Sequence, residues 1–153
     1  MGTHFKGNKE ELIALESWIK LLRASDSVFK KIRPSMVQYN LSTTQFAVLE
    51  VLLHLGPLSQ KTIGQKLLRS SGNIVKVVDN LERDKLVLRD PDPNDRRAYK
   101  VVLTKEGERI IKKIFPDHVK SIVESFSILT KREQIELSRL CKKLGLGLED
   151  SDN

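Results

Sequence analysis

The sequence predicts a mainly α-helical fold that carries one small β-hairpin. Three observations predict it. Apolar residues recur at helical spacing from Leu12–Ile32 at one end to Ile135–Leu144 at the other. Two runs rich in strand formers, Leu86-Val87-Leu88 and Tyr99 to Leu103, flank a segment containing Pro91 and Pro93. Just before that hairpin, two helical stretches are separated by a polar break, Arg69-Ser70-Ser71-Gly72. The chain of 153 residues has the length of one domain.

Each element has its own signal. Asn8, with Glu11 three residues on, can open a helix over Lys9–Ile32. Leu12, Leu15, Ile19 and Leu22 form its stripe, and Ile13, Trp18 and Leu21 widen it. Such a helix is ~35 Å long, more than a small domain needs for itself. Pro34 ends it. Ser42 or Thr43 reopens a helix that is apolar nearly all round, which places it centrally, until Gly56-Pro57 stops it. Ser59 caps a short helix whose apolar face is Ile63, Leu67 and Leu68. The next helix runs from about Ser71 to Lys85, with Ile74, Val77, Val78 and Leu81 on one side. After the hairpin, Thr104 caps a long helix in which Pro116 predicts a kink or break. Thr130 to Glu133 forms a capping box for a last helix, which Gly145 and Gly147 end. Residues 146–153 read as a frayed acidic tail.

Composition narrows the function classes. Net charge is +7. Residues 59–103 carry ten basic and six acidic groups, the largest excess of any third of the chain. That suggests phosphate or an acidic surface as partner, with plain solubility as the bland alternative. No apolar run approaches bilayer length, and MGTHFKGNKEE lacks a secretory core. One cysteine forbids an internal disulfide, which fits a cytoplasmic protein. There is no nucleophile elbow, phosphate loop or HExxH pattern, so no enzyme and no cofactor is expected. His4, His54 and His118 are far apart in sequence, and no zinc site is expected from them. Cys141 lies on the apolar stripe of the last helix and reads as a small core residue.

The helix over residues 71–85 presents Gly72, Asn73, Lys76, Asp79, Asn80 and Arg83 opposite its apolar side. Amides and cations of this kind suit base edges and phosphates, though an ordinary solvated face looks the same. The hairpin adds Arg89-Asp90-Pro91-Asp92-Pro93-Asn94-Asp95-Arg96-Arg97, a turn-forming segment with two arginines at its tip. A basic hairpin beside two such helices can lie on the DNA backbone and push an Arg into a narrow minor groove.

SSGNIVKVVDNLERDKLV followed by DPNDRRAYKVVLTKEG resembles the winged helix-turn-helix of the MarR family of bacterial transcriptional regulators. Asp95-x-Arg97, Val102-Leu103-Thr104 and Gly107 are its most specific part, and the likeness covers about 41–107. Lys85 departs from it, standing where family members usually have Gly. The resemblance implies a winged helix-turn-helix over residues 41–104, with residues 9–33 and 104–145 as dimerisation helices. It implies a sequence-specific DNA-binding regulator, read as a dimeric repressor on a pseudo-palindromic operator of double-stranded DNA. The candidate DNA-binding residues are Ser59, Ser70, Ser71, Gly72, Asn73, Lys76, Asn80, Arg83, Asp95, Arg96 and Arg97. Arg97 is expected in the minor groove, Arg96 on phosphate and Asp95 holding the turn, with Asp79 pairing with Arg97 from below. An effector pocket is implied between the dimer helices and the winged domain. Trp18, Arg23, Tyr39 and His54 are its candidate lining, for which a phenolic or other aromatic anion is the fitting small-molecule effector. Two other readings stay open: a non-specific architectural DNA-binding protein, and a winged helix used for protein interaction.

Overall fold

The computed structural model describes residues 4–149. The element order is α1 (Lys9–Ile32), α2 (Pro34–Val37), α3 (Thr43–Leu55), β1 (Leu58–Ser59), α4 (Gln60–Leu67) and α5 (Ser71–Arg83). It continues with β2 (Val87–Asp92), β3 (Asp95–Leu103), α6 (Lys105–Phe126) and α7 (Lys131–Glu149). The mainly helical fold with a hairpin wing is the one the sequence predicts.

The helix starts are set by side chains that satisfy otherwise unpaired amides. Asn8 Oδ1 accepts from the N–H of Glu11 at 2.9 Å, and Glu11 Oε2 accepts from that of Asn8 at 2.8 Å. Ser42 and Gln45 form the same box on α3, and Thr130 and Glu133 on α7. Thr104 caps α6 by accepting from Gly107 N–H at 3.0 Å, while its hydroxyl donates to the carbonyl of Lys85 at 2.7 Å. The start of α6 is thereby fastened to the end of α5. The backbones meet so closely that a Cβ on Gly107 would lie 1.9 Å from the Leu86 carbonyl oxygen. Only glycine fits there.

Phe46, Leu49, Ile63, Ile74, Leu81, Val101 and Ile111 lie fully buried in one core joining α3, α4, α5, β3 and α6. From α1 only Ile32 enters it as a buried residue, and from α7 none does among the described residues. The three-stranded antiparallel sheet has the order β1-β3-β2. β1 has no counterpart in the sequence reading; it is a two-residue pairing, Leu58 with Val101 and Ser59 with Lys100.

Four local expectations change. Leu68 does not join Ile63 and Leu67 in the core: it caps α4 with a left-handed φ of 50° and is 66% exposed. Its turn lets the N–H of Arg69 reach the Gly64 carbonyl at 3.0 Å. The hairpin strands run further than Leu88 and Tyr99, to Asp92 and from Asp95, leaving only Pro93-Asn94 as the turn. Pro91 is tolerated because β2 is an edge strand and needs no second ladder. Of the kink or break expected at Pro116, the break does not occur: α6 continues from Lys105 to Phe126. Finally, α7 passes through Gly145 and Gly147 to Glu149, and the rest of the acidic tail lies outside the described residues.

Candidate nucleic-acid interface

The exposed face of α5 is built by its cap and its period. Ser70 Oγ accepts from the N–H of Asn73 at 3.4 Å, which leaves other first-turn amides pointing outward. Ser71, Gly72, Asn73, Lys76, Asn80 and Arg83 are all exposed, while Ile74, Val78 and Leu81 are buried. A Cβ on Gly72 would meet nothing within 4 Å, so the backbone itself is open to a partner at this point. The helix N-terminus adds a partial positive charge that favours phosphate. Arg83 Nε donates to Asp84 at 3.3 Å, an exposed pair of small energetic weight. Ser59, half-buried, caps α4 by accepting from Thr62 N–H at 3.1 Å and bonds the Thr62 hydroxyl at 2.9 Å.

The wing tip is irregular in a useful way. Pro91 pairs with Tyr99, but Asp92 pairs with Asp95, so the register shifts between them. Arg96, Arg97 and Ala98 fall in the extra stretch on β3, a bulge that pushes chain outward. Asp92 accepts from the N–H of Asn94 at 3.0 Å, and Asp95 accepts from that of Arg97 at 2.9 Å. Asp95 thus holds the turn through the backbone of Arg97, and no ion pair between the two occurs among the described residues. Arg97 is exposed; the side chain of Arg96 lies outside what is described. The amide of Asn94, aided by the Lys100 ammonium 3.3 Å away, holds the carboxyl of Asp92 below its usual range despite some burial.

Asp79 does not aim Arg97. It pairs with Arg89, which reaches it from β2 together with Glu82 and Gln60. Burial opposes the charge on Arg89, but the hydrogen bonds it donates to Asp79 and Glu82, and their charges, outweigh it and hold its pKa above the usual guanidinium value. Sequence reasoning missed this arginine because it assigned residue 89 to a loop. It also missed Val75, which is 38% exposed on the border of the α5 polar face.

The four candidate effector residues do not converge on one described site. Trp18 and Arg23 are exposed on α1. Five residues apart, they point about 140° away from each other around the helix. Tyr39 is half-buried with Lys113 Nζ 5.7 Å from its ring centre, and His54 lies edge-on to Phe115 at 4.9 Å. These two therefore both border α6. The fold also brings His118 to that wall, 4.4 Å from Phe46 and 6.4 Å from Phe115, ring to ring. His118 is buried, its Nδ1 has no hydrogen-bond partner among the described residues, and burial lowers its pKa against the opposing charge of Glu50. Cys141 is exposed rather than buried, because α7 places none of its described residues in the buried core. No group of metal-ligating side chains occurs among the described residues, and no described helix is long and apolar enough to cross a membrane.

Comparison with known proteins agrees with this fold. The MarR family model matches residues 41–99. The HTH-type transcriptional regulator MhqR of Bacillus subtilis is 36% identical over 140 residues, 92% of this chain and 97% of MhqR. Among solved structures, AbsC, a MarR family transcriptional regulator from Streptomyces coelicolor, superposes with a TM-score of 0.82. It is 20% identical and covers 97% of this chain and 99% of its own. BpsR of Bordetella bronchiseptica, whose DNA binding is regulated by 6-hydroxynicotinic acid, gives 0.75 at 23% identity over 84% and 98%. At those identities the two structures speak for the fold alone. With the sequence likeness spanning nearly its whole length, the chain belongs to the MarR family of helix-turn-helix transcriptional regulators, which bind DNA and are not enzymes.

Proposed function

We propose that the chain acts in the cytoplasm as a homodimeric repressor. It binds a pseudo-palindromic operator, with α5 in the major groove and the wing tip on the flanking minor groove. The observation that carries this is a capped helix whose exposed side is amides and cations, set beside a bulged hairpin tip with Arg96 and Arg97. Asn73 and Lys76 read base edges; Ser59, Ser70, Ser71, Gly72, Asn80 and Arg83 approach the backbone; Arg97 enters the narrow groove. The dimer rests on α1 and α7. Trp18, Leu22, Phe29, Leu140 and Leu144 are each exposed by more than two-fifths in the single chain, an apolar surface that a second copy removes from water.

Release is assigned to an aromatic anion, with Arg23 as counter-charge and Trp18, Tyr39 and His54 as candidate walls. BpsR, which has the same fold, answers to such an anion. Because Trp18 and Arg23 diverge on one helix, the pocket needs residues from both copies. A ligand can release DNA only by favouring the conformation that does not bind it. The test is selection of duplexes from a randomised pool, then competition against random DNA with and without a panel of aromatic acids and phenols. A specific regulator holds a specificity ratio of about 10³ or more. Equal affinity for all duplexes would make the chain an architectural protein, and operator affinity unmoved by the whole panel would remove the effector.

A further inference from the structure

Arg89 lies on β2 two residues beyond buried Val87, so strand alternation turns it inward, opposite Val101. Its side chain is 23% exposed and commits every nitrogen to partners inside the protein. Nη1 donates to Glu82 Oε2 and Nη2 to Asp79 Oδ1, both on α5. Nε and Nη2 donate to Gln60 Oε1, on the first residue of α4, at 3.3 and 2.9 Å. The backbone N–H of Arg89 donates to Glu82 Oε1 at 3.1 Å. One guanidinium thus ties the wing to both helices of the helix-turn-helix.

We infer that Arg89 is a positioning residue for DNA binding: it touches no DNA, but fixes α4, α5 and the wing as one rigid reading head. It also neutralises Asp79, the carboxylate on the face of α5 that is offered to phosphate. Without it, Asp79 and Glu82 stand three residues apart on one helix and repel each other and the DNA. The role requires the planar fork, because three acceptors on two helices are met at once; a lysine supplies the charge from a single point. The inference rests on the reading that α5 and the wing tip meet DNA together.

The experiment compares the wild-type chain with Arg89→Gln and Arg89→Lys, each with and without Arg97→Ala. Circular dichroism confirms that each variant is folded at the assay temperature. Binding is measured to a duplex selected by the wild type, or to random duplex if none is selected, and amide hydrogen exchange is followed across residues 87–103. Arg97→Ala should cost about tenfold in affinity in the wild type and under about threefold beside Arg89→Gln, since a loose wing no longer delivers Arg97. Arg89→Lys should behave like Arg89→Gln, and wing amides should exchange about tenfold faster in both. An Arg89→Lys protein indistinguishable from wild type in affinity and exchange would overturn the proposal. So would an Arg97→Ala cost that is equal in both backgrounds with unchanged wing exchange. If Arg97→Ala is neutral in the wild type, the wing reading falls, and exchange decides Arg89 alone: faster wing exchange upholds it as the tie, and unchanged exchange overturns it.

Discussion

A lysine holds the left-handed position that ends α5. Lys85 has φ of 60°, and around it the N–H of Leu86 reaches the Leu81 carbonyl and that of Lys85 reaches Glu82, each at 2.9 Å. The turn that family members form with Gly is kept here by a residue with a Cβ, at a conformational cost of about 1 kcal/mol. Lys85→Gly should therefore raise stability by about 0.5–1 kcal/mol and the melting temperature by roughly 2–4 °C; thermal melts of the two proteins check this. His118 makes a second residue-scale prediction. Its pKa is lowered by burial, so the unfolded chain takes up a proton more readily than the folded one. The stability it contributes is fully present above its ordinary pKa of 6.5 and is lost as pH falls toward the lower folded value. Urea unfolding between pH 7.5 and 5.5 should show stability falling by up to about 1.4 kcal/mol per pH unit, and His118→Phe should flatten that slope. A slope unchanged by the substitution would assign it to other groups. Neither residue can be read in full from sequence. The Lys85 departure is visible there, but whether the turn survives it is not. His118 becomes a buried imidazole only once α6 packs on Phe46.

At the scale of elements, the helices are legible in the sequence and the wing only at its ends. Capping boxes at Asn8 and Thr130, the cap expected at Ser42 or Thr43, and the 3.6-residue period of Ile74, Val78 and Leu81 are local signals that the structure keeps, with Ser42 as the cap. Pro91 argues for a loop because its edge-strand position depends on strand order, which is not local. Reading a loop there hides the inward turn of Arg89 and gives its partner Asp79 to Arg97. The α5 surface and the wing tip should separate experimentally. Asn73→Ala and Lys76→Ala should relax base preference, by about 1–3 kcal/mol for each base edge left unread. Arg97→Ala should cost most on A·T-rich flanks, whereas Arg96→Ala should weaken all duplexes about equally and lower the salt slope by about one for the phosphate it no longer neutralises. Binding titrations at several salt concentrations, on operators differing in flank and in core, distinguish the two. An Arg97→Ala protein with unchanged affinity on every duplex would mean the wing does not read DNA.

The whole molecule carries more apolar surface than one chain can cover. α1 contributes only Ile32 to the buried core, and α7 has Ile135 and Leu144 more than half exposed. Their stripes are plain in the sequence, but that α1 packs on α6 and still leaves much of its stripe exposed is seen only in the structure. Which residues of a second copy they would meet in the proposed dimer is not encoded locally, and the four pocket candidates chosen from one chain do not come together within it. On the proposed assembly the solution species should be twice the chain mass of 17.5 kDa at micromolar concentration. Sedimentation showing only single chains would remove the two-fold reader. The most direct test of the account is binding of the selected operator as a full two-fold site, as a single half-site and as scrambled duplex, at one salt concentration. The account predicts that the full site binds about 10³-fold or more tighter than scrambled DNA, with the half-site far weaker than the full site. Equal affinity for all three duplexes would contradict it.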